Sequence, residues 1–403
     1  MPHHRARYIE PLIAHSLKHS PIVGILGQRQ SGKTTLVHSL AKEYETLDRR
    51  NVLESAQGNP DLFIANRASP FGIDECQLAP ALFPALKEAV RVLPKKGQFI
   101  LTGSVRFTSR KAIRESLTGR IFNLELLPFS LSESHSLPLP KVLIDLQILT
   151  ASRILSIVSK NPAEIPEKEF DRYLESGGLP GICFQREASV RLTYFESQLE
   201  TLLDRDLRLV QATTVPFANL KGLLTLMAQN QGQPTDYAEL ARSSQISVIT
   251  LKRLVSSFEA IFLIRRLLSA GGTKAPVFFL EDQGLASYLL KSEPTSISPL
   301  YNVLRGLYGN ILPQFHYRPE LQALAYQYRT RGGAVVPLAF KTIHGHLGII
   351  PSLTDEPSPA ALGSARSFLE KQARSKVAII SRHGKPRAWS DRLISLPLSA
   401  VLG

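Results

Sequence analysis

"GILGQRQSGKTTLVHSL", Gly24–Leu40, is the stretch on which the reading of this chain turns. It holds Gly27, four residues, then Gly32-Lys33-Thr34, the spacing of a phosphate-binding loop. In such a loop the glycines let successive backbone N–H groups converge on phosphate oxygens. The lysine adds charge at the β/γ position, and the hydroxyl takes a place on Mg²⁺. Upstream, "PIVGIL" (Pro21–Leu26) is a short apolar run rich in β-branched residues, which predicts a buried parallel strand. Downstream, Leu36, Val37 and Leu40 fall at helical spacing among polar residues. Strand, loop and helix follow in the order that aims a helix N-terminus at an anion. The expected ligand is ATP, held by Gly27, Gln28, Arg29, Gln30, Ser31, Gly32, Lys33, Thr34 and Thr35, with Mg²⁺ on Thr34.

A chain of 403 residues is long enough for two or three domains. Its 43% hydrophobic and 20% charged content describe a globular protein. The only two cysteines, Cys76 and Cys183, are too far apart to suggest a disulfide framework or a zinc site. No apolar run approaches a membrane span and the N-terminus is too interrupted for a signal peptide, so a cytoplasmic address is expected and no membrane partner. His3 and His4 read as solvated. Forty-eight Lys and Arg against 34 Asp and Glu leave +14, a balance that favours polyanionic partners, DNA first among them. Solubility by excess charge is the competing account. The excess gathers in Ala365–Arg392, where eight basic residues face two acidic ones.

Residues 8–130 alternate strand and helix patterns, which predicts a parallel α/β sheet. Within it "IDEC" (Ile73–Cys76) supplies what a phosphate loop lacks for hydrolysis. Asp74, at a strand end, is suited to hold Mg²⁺ through its water shell, and Glu75 to polarise water. In "LTGS" (Leu101–Ser104), Thr102 or Ser104 could reach the γ-phosphate or that water. Arg120, after "SLTG", could answer developing charge in its own subunit or in a neighbour of a homo-oligomer; helix termination at Gly119 is the competing account.

Together, "GQRQSGKTTL", "IDECQLAPALFPALK", "FILTGS" and "ESLTGRIFNLELLPFSLSE" resemble the prokaryotic AAA-type P-loop ATPases that carry a nuclease-like C-terminal domain of uncharacterised role. The likeness extends, more weakly, through "ESGGLPGICFQ" and "YFESQLETLLDRDL". It implies an AAA-like ATPase core over 1–133, with Lys33 and Thr34 on phosphate and magnesium and Asp74 and Glu75 as the hydrolytic pair. A helical lid or connector is expected over 134–213.

"PTDYAELARSSQISVITLKRLVSSFEAIFLIRRL" (Pro234–Leu267) has a helix–turn–helix rhythm, and a winged helix is expected over 214–290. Val248, Leu251, Leu254 and Val255 would face its core, leaving Ser247, Thr250, Lys252 and Arg253 for a DNA groove. The remainder, 291–403, is expected to be a degenerate restriction-nuclease-like α/β domain. The resemblance implies a Glu-Val-Asp strand and a Glu-x-Lys strand after "YQYRT", but the chain has "GGAVVPLAF" and "HGHLGIIPSL" there. Those residues offer no hard oxygen ligands for Mg²⁺. Arg382, Lys385 and Arg387 are the basic candidates for DNA phosphates in this domain. The whole reads as an ATP-hydrolysing, DNA-associated ATPase without nuclease activity. The alternative is an ATP-dependent switch acting on a protein partner in a defence or toxin-type system. A small-molecule kinase fits poorly, because Asp74, Glu75 and Ser104 suit attack by water.

Overall fold

The computed structural model describes residues 5–107, 117–160, 165–272, 275–291 and 298–403. His3, His4 and most of the Ser/Pro-rich joint "KSEPTSISP" lie outside them. After α1 (Glu10–His19) come β1 (Ile22–Leu26) and α2 (Lys33–Leu40). Every residue of β1 is buried, as its continuous apolar run requires of a strand covered on both faces. Next follow β2 (Glu43–Thr46), β3 (Phe71–Asp74), α3 (Leu82–Val92), β4 (Phe99–Gly103) and β5 (Ile121–Glu125). They form one sheet in the order β2-β3-β4-β1-β5, parallel throughout. The C-terminal ends of all five strands therefore share one edge, and Leu26, Asp74 and Gly103 end there.

The helical middle contains α4 (Ala188–Thr201), which runs into a π-helical turn, Leu202–Asp206. Beyond it lie α5 (Phe217–Gln229), α6 (Tyr237–Ser244) and α7 (Val248–Ala260). Asp236 caps α6 by accepting from Ala238 N at 2.7 Å, and Ser247 caps α7 by accepting from Thr250 N at 3.2 Å. Gln245, at φ 57°, makes the turn between them. Leu251, Leu254 and Val255 are fully buried as the spacing predicts, but Val248 is 38% exposed. Sitting at the first position of α7, it lies at the rim, and Phe258 one turn after Leu254 completes the buried stripe.

β6 (Ile264–Ala270) and β7 (Val277–Leu280) form an antiparallel hairpin after α7. The far half of β6 then pairs in parallel with β8 (Leu324–Arg329), Leu268 opposite Tyr326. The hairpin thus belongs to an eight-stranded mixed sheet, β12-β13-β11-β10-β9-β8-β6-β7. Its other strands are β9 (Val335–Thr342), β10 (Gly345–Ser352), β11 (Ser375–Ser381), β12 (Arg387–Ser390) and β13 (Leu393–Pro397).

Two helices, α8 (Gln283–Lys291) and α9 (Pro299–His316), precede this C-terminal run of strands, and α10 (Pro359–Lys371) lies between β10 and β11. From Val303 to Phe315 nearly every residue of α9 is buried, so its polar side chains need internal partners. Asn310 Oδ1 accepts from Leu131 N at 2.7 Å, and Gln314 Nε2 donates to Val401 O at 2.8 Å. Phe315 stacks on Phe340 of β9, ring centroids 4.0 Å apart. A single helix thereby joins the segment after β5 to the C-terminal sheet.

Candidate functional site

The loop between β1 and α2 closes with Gly32 at φ 96°, a left-handed conformation that suits glycine. At Gly27 a Cβ would stand 2.3 Å from the carbonyl oxygen of Leu126, just after β5, so the loop can approach that backbone only without a side chain. Lys33 is buried, and its Nζ donates to the carbonyls of Gly27 and Gln28, both at 2.9 Å. Burial pushes its ammonium pKa down, against the pull of Glu75, Asp74 and Asp206. Among the described residues, the Ser31 hydroxyl and both side-chain polar atoms of Gln28 are buried without a hydrogen-bond partner. Each such group costs roughly 1–3 kcal/mol. A loop that keeps them fits a polar ligand.

Thr34 and Asp74 meet beside the loop. The Thr34 hydroxyl donates to Asp74 Oδ2 at 2.7 Å, and Tyr44 OH donates to the same oxygen at 2.9 Å. Thr102 donates to Asp74 Oδ1 and accepts from Glu75 N at 3.1 Å. A hydroxyl beside a carboxylate is a hard-oxygen donor set that fits Mg²⁺. Thr102 is thereby occupied in orienting Asp74 and the Glu75 backbone.

Glu75 follows β3 in the left-handed region, φ 56° and ψ 38°, a conformation costly for a residue with a side chain. Gln77 Nε2 donates both to Glu75 Oε2 and, at 3.2 Å, to the fully buried Ser104 hydroxyl. Ser104 therefore reaches Glu75 through Gln77. The parallel sheet brings Lys33, Thr34, Asp74, Glu75 and Ser104 to one edge.

A cleft of about 370 Å³ opens beside the loop, lined by Lys33, Thr34, Glu75, Arg7, Phe129 and Pro180 among others. Sequence reasoning missed the last three. Arg7 donates to the carbonyl of Ser31 and to that of Leu127, each at 2.7 Å, and to Glu133 at 2.9 Å. Its guanidinium lies 4.2 Å from the Phe129 ring centroid. A further unforeseen pair joins Arg29 of the loop to Asp206 at 3.5 Å. Burial raises the Asp206 pKa, with Glu75 adding to it and Arg29 opposing. "LLDRDL" marked this segment as familiar, yet no local pattern tied Asp206 to Arg29, 177 positions away.

Other expected residues lie elsewhere. Arg120 precedes β5, whose register sets Ile121 beside Ile22 and Glu125 beside Leu26. It thus sits at the edge opposite the loop, a strand length of about 16 Å away at roughly 3.3 Å per residue. Lys252 and Arg253 are exposed on α7, next to Ile249, which is 70% exposed. Lys385 is exposed, but Arg382 pairs with Asp171 and Arg387 with Glu356, the latter at 2.7 Å. Among the described residues there is no cluster of three His, Cys, Asp or Glu placed to hold a metal ion. No helix among them is long and apolar enough to cross a membrane.

Comparison with known proteins bears on the N-terminal sheet. Residues 19–135 match the family model described as an AAA domain, and residues 167–296 match a domain of unknown function. Uncharacterized proteins of Mycobacterium bovis and Mycobacterium tuberculosis are each 25% identical over 397 residues, covering 96% of this chain and 82% of theirs. A solved structure of a signal transduction ATPase with numerous domains (STAND) protein with a tetratricopeptide repeat sensor, from Pyrococcus horikoshii, is 15% identical with a TM-score of 0.26. That likeness covers 77% of this chain and 47% of the Pyrococcus protein, about half its length. The N-terminal segment is thus a P-loop domain of the AAA type, on the strength of the family match and the sheet.

Proposed function

We propose that this chain binds ATP and hydrolyses it to ADP and phosphate. The observation that carries the reading is the convergence of Lys33, the Thr34–Asp74 contact of 2.7 Å and Glu75 at one sheet edge. Lys33 supplies the fixed charge for the β/γ-phosphates, in exchange for its bonds to the loop carbonyls. Thr34 and Asp74 would hold Mg²⁺, which when bound neutralises developing phosphate charge. Glu75 accepts a proton from the attacking water, and Gln77 keeps its carboxylate beside Ser104. Arg120 acts across subunits of a homo-oligomer, since its own site lies at the other edge. Mixing Arg120→Ala with Lys33→Ala protein should then restore part of the turnover that each lacks. Full activity of Arg120→Ala alone would leave it a structural role.

The ATPase reading extends to DNA through α6–α7, a winged helix whose Lys252 and Arg253 face solvent. Residues 291–403 would be a nuclease-like domain without metal ligands. The test is phosphate release with and without duplex and single-stranded DNA. DNA binding should weaken roughly tenfold to a thousandfold between 50 and 200 mM salt for about 2 to 6 phosphate contacts. Salt-insensitive binding would count against it. The second reading, a switch acting on a protein partner, draws support from the ion pairs of Arg382 and Arg387, which withdraw charge from the C-terminal surface. DNA that neither binds nor stimulates would favour that switch.

A further inference from the structure

The contacts around Arg29 are out of proportion to a loop residue that merely spaces two glycines. Two side chains of one continuous helical stretch reach it from the middle of the chain. Gln198 of α4 donates through Nε2 to the Arg29 carbonyl at 3.3 Å, and Asp206 of the π-helical turn pairs with its guanidinium at 3.5 Å. Both are buried, Gln198 at 1% exposure and Asp206 fully. Each also leaves an oxygen without a partner among the described residues, Oε1 of Gln198 and Oδ2 of Asp206. On either side of Arg29 the pattern repeats, at Gln28 and, two residues further on, at Ser31.

Unsatisfied groups of this kind are rare in a native interior, and here four residues carry them around one arginine. A buried carboxylate with one long ion pair is underpaired for its desolvation. Asp206 is also close enough for its charge to act on Lys33 and Glu75. The π-turn matters to this placement: the Leu207 N–H bonds back to Leu202 O, one residue further than an α-helix allows. Such turns occur often at functional sites.

Resting on the ATP reading above, we propose that Arg29 is the residue that distinguishes a triphosphate from a diphosphate, and that Asp206 is its positioning residue. The guanidinium, 20% exposed, is free to exchange a single 3.5 Å contact for a phosphate oxygen. A planar, permanently charged fork suits that oxygen better than a point charge. Asp206 and Gln198 hold Arg29 from the adjoining domain, so the phosphate site is completed within one chain by residues outside 1–133. Occupation of the terminal-phosphate position changes what Asp206 is paired with, and so couples the helical middle to the nucleotide.

The test is calorimetric binding of ADP and of a non-hydrolysable ATP analogue to the full chain and its variants. Arg29→Ala should weaken the triphosphate about 10- to 100-fold while moving ADP by less than about threefold. Asp206→Asn, nearly isosteric, should lower the triphosphate-to-diphosphate preference in the same direction by a smaller factor. Arg29→Lys should restore part of the preference. Equal losses for both nucleotides in Arg29→Ala, or no loss for either, would overturn the proposal while leaving the ATP reading intact. Wild-type protein that binds neither nucleotide would instead remove the ATP reading on which it rests.

Discussion

In the five-stranded sheet every strand runs the same way, whereas in the eight-stranded sheet β9 runs against both of its neighbours. That difference decides where polar side chains collect. Parallel strands deliver the residues that follow them to a single edge, so a loop after β1, an Asp-Glu pair after β3 and a serine after β4 arrive together. In the mixed sheet β7, β9 and β12 run against the other strands, so its strand ends are divided between two edges. Some of its polar residues pair within the C-terminal region: Tyr326 OH with His346 Nδ1 at 2.7 Å, and Arg387 with Glu356. Buried polar atoms are left over in both regions, at Gln28 and Ser31 beside the loop and at Gln327 and Arg329 of β8. At the C-terminal surface Arg382, His383 and Arg387 are paired with carboxylates.

The widest separation between the two regions should come from Glu75→Gln. Turnover should fall roughly 10²- to 10⁴-fold, the usual contribution of a positioned base, with ATP binding retained. Phosphate release measured beside nucleotide binding checks this, and wild-type turnover would remove Glu75 from the mechanism. Lys33→Ala should weaken nucleotide binding by about 100-fold, the upper range for a lost charge-assisted bond. Calorimetry reads it directly; unchanged affinity would mean the loop holds no phosphate.

The joint between the regions should respond to pH. Asp282 is buried ahead of α8 and accepts from Gly178 N at 2.7 Å and Leu285 N at 2.8 Å. Burial nonetheless pushes its carboxyl up from 3.8 to about 6, those backbone bonds offsetting only part of the cost. The folded state therefore keeps this proton longer than the unfolded chain. Its stabilising contribution is present below about pH 3.8 and lost as pH rises to about 6, by roughly 3 kcal/mol in total. Relative to Asp282→Asn, the wild-type chain should lose stability across that window. Parallel unfolding curves for the two proteins would contradict it.

The smallest effect belongs to the C-terminal surface. Arg387→Ala breaks an ion pair between side chains that are 54% and 72% exposed, so stability should change by no more than about 1 kcal/mol and ATP turnover hardly at all. Denaturant midpoints and phosphate release together test this. A large loss of turnover would show that this sheet takes part in the chemistry.

The N-terminal half was largely readable in advance because its signals are local. "PIVGIL", the loop and the "TTLVHSL" helix each declare themselves within a dozen residues, and "IDEC" ends a strand whose apolar run is visible. The course of β6 was not readable. Its alternation announces a hairpin, yet its last three residues pair with β8 more than 50 positions later. Val248 carried the right period for the core and still lies at the rim, since helix spacing alone does not say where a buried stripe ends.

The residue types themselves determined the phosphate loop, the acidic pair and the helix–turn–helix, because glycine conformation, carboxylate chemistry and helical period act over a few residues. Only the tertiary structure decided that Arg120 lies at the far edge from its own loop and that Arg382 and Arg387 are neutralised. It alone brought Gln198 and Asp206 to Arg29. Charges meet by distance in space, and sheet direction and helix packing set that distance between residues far apart in the chain, 177 positions for Arg29 and Asp206.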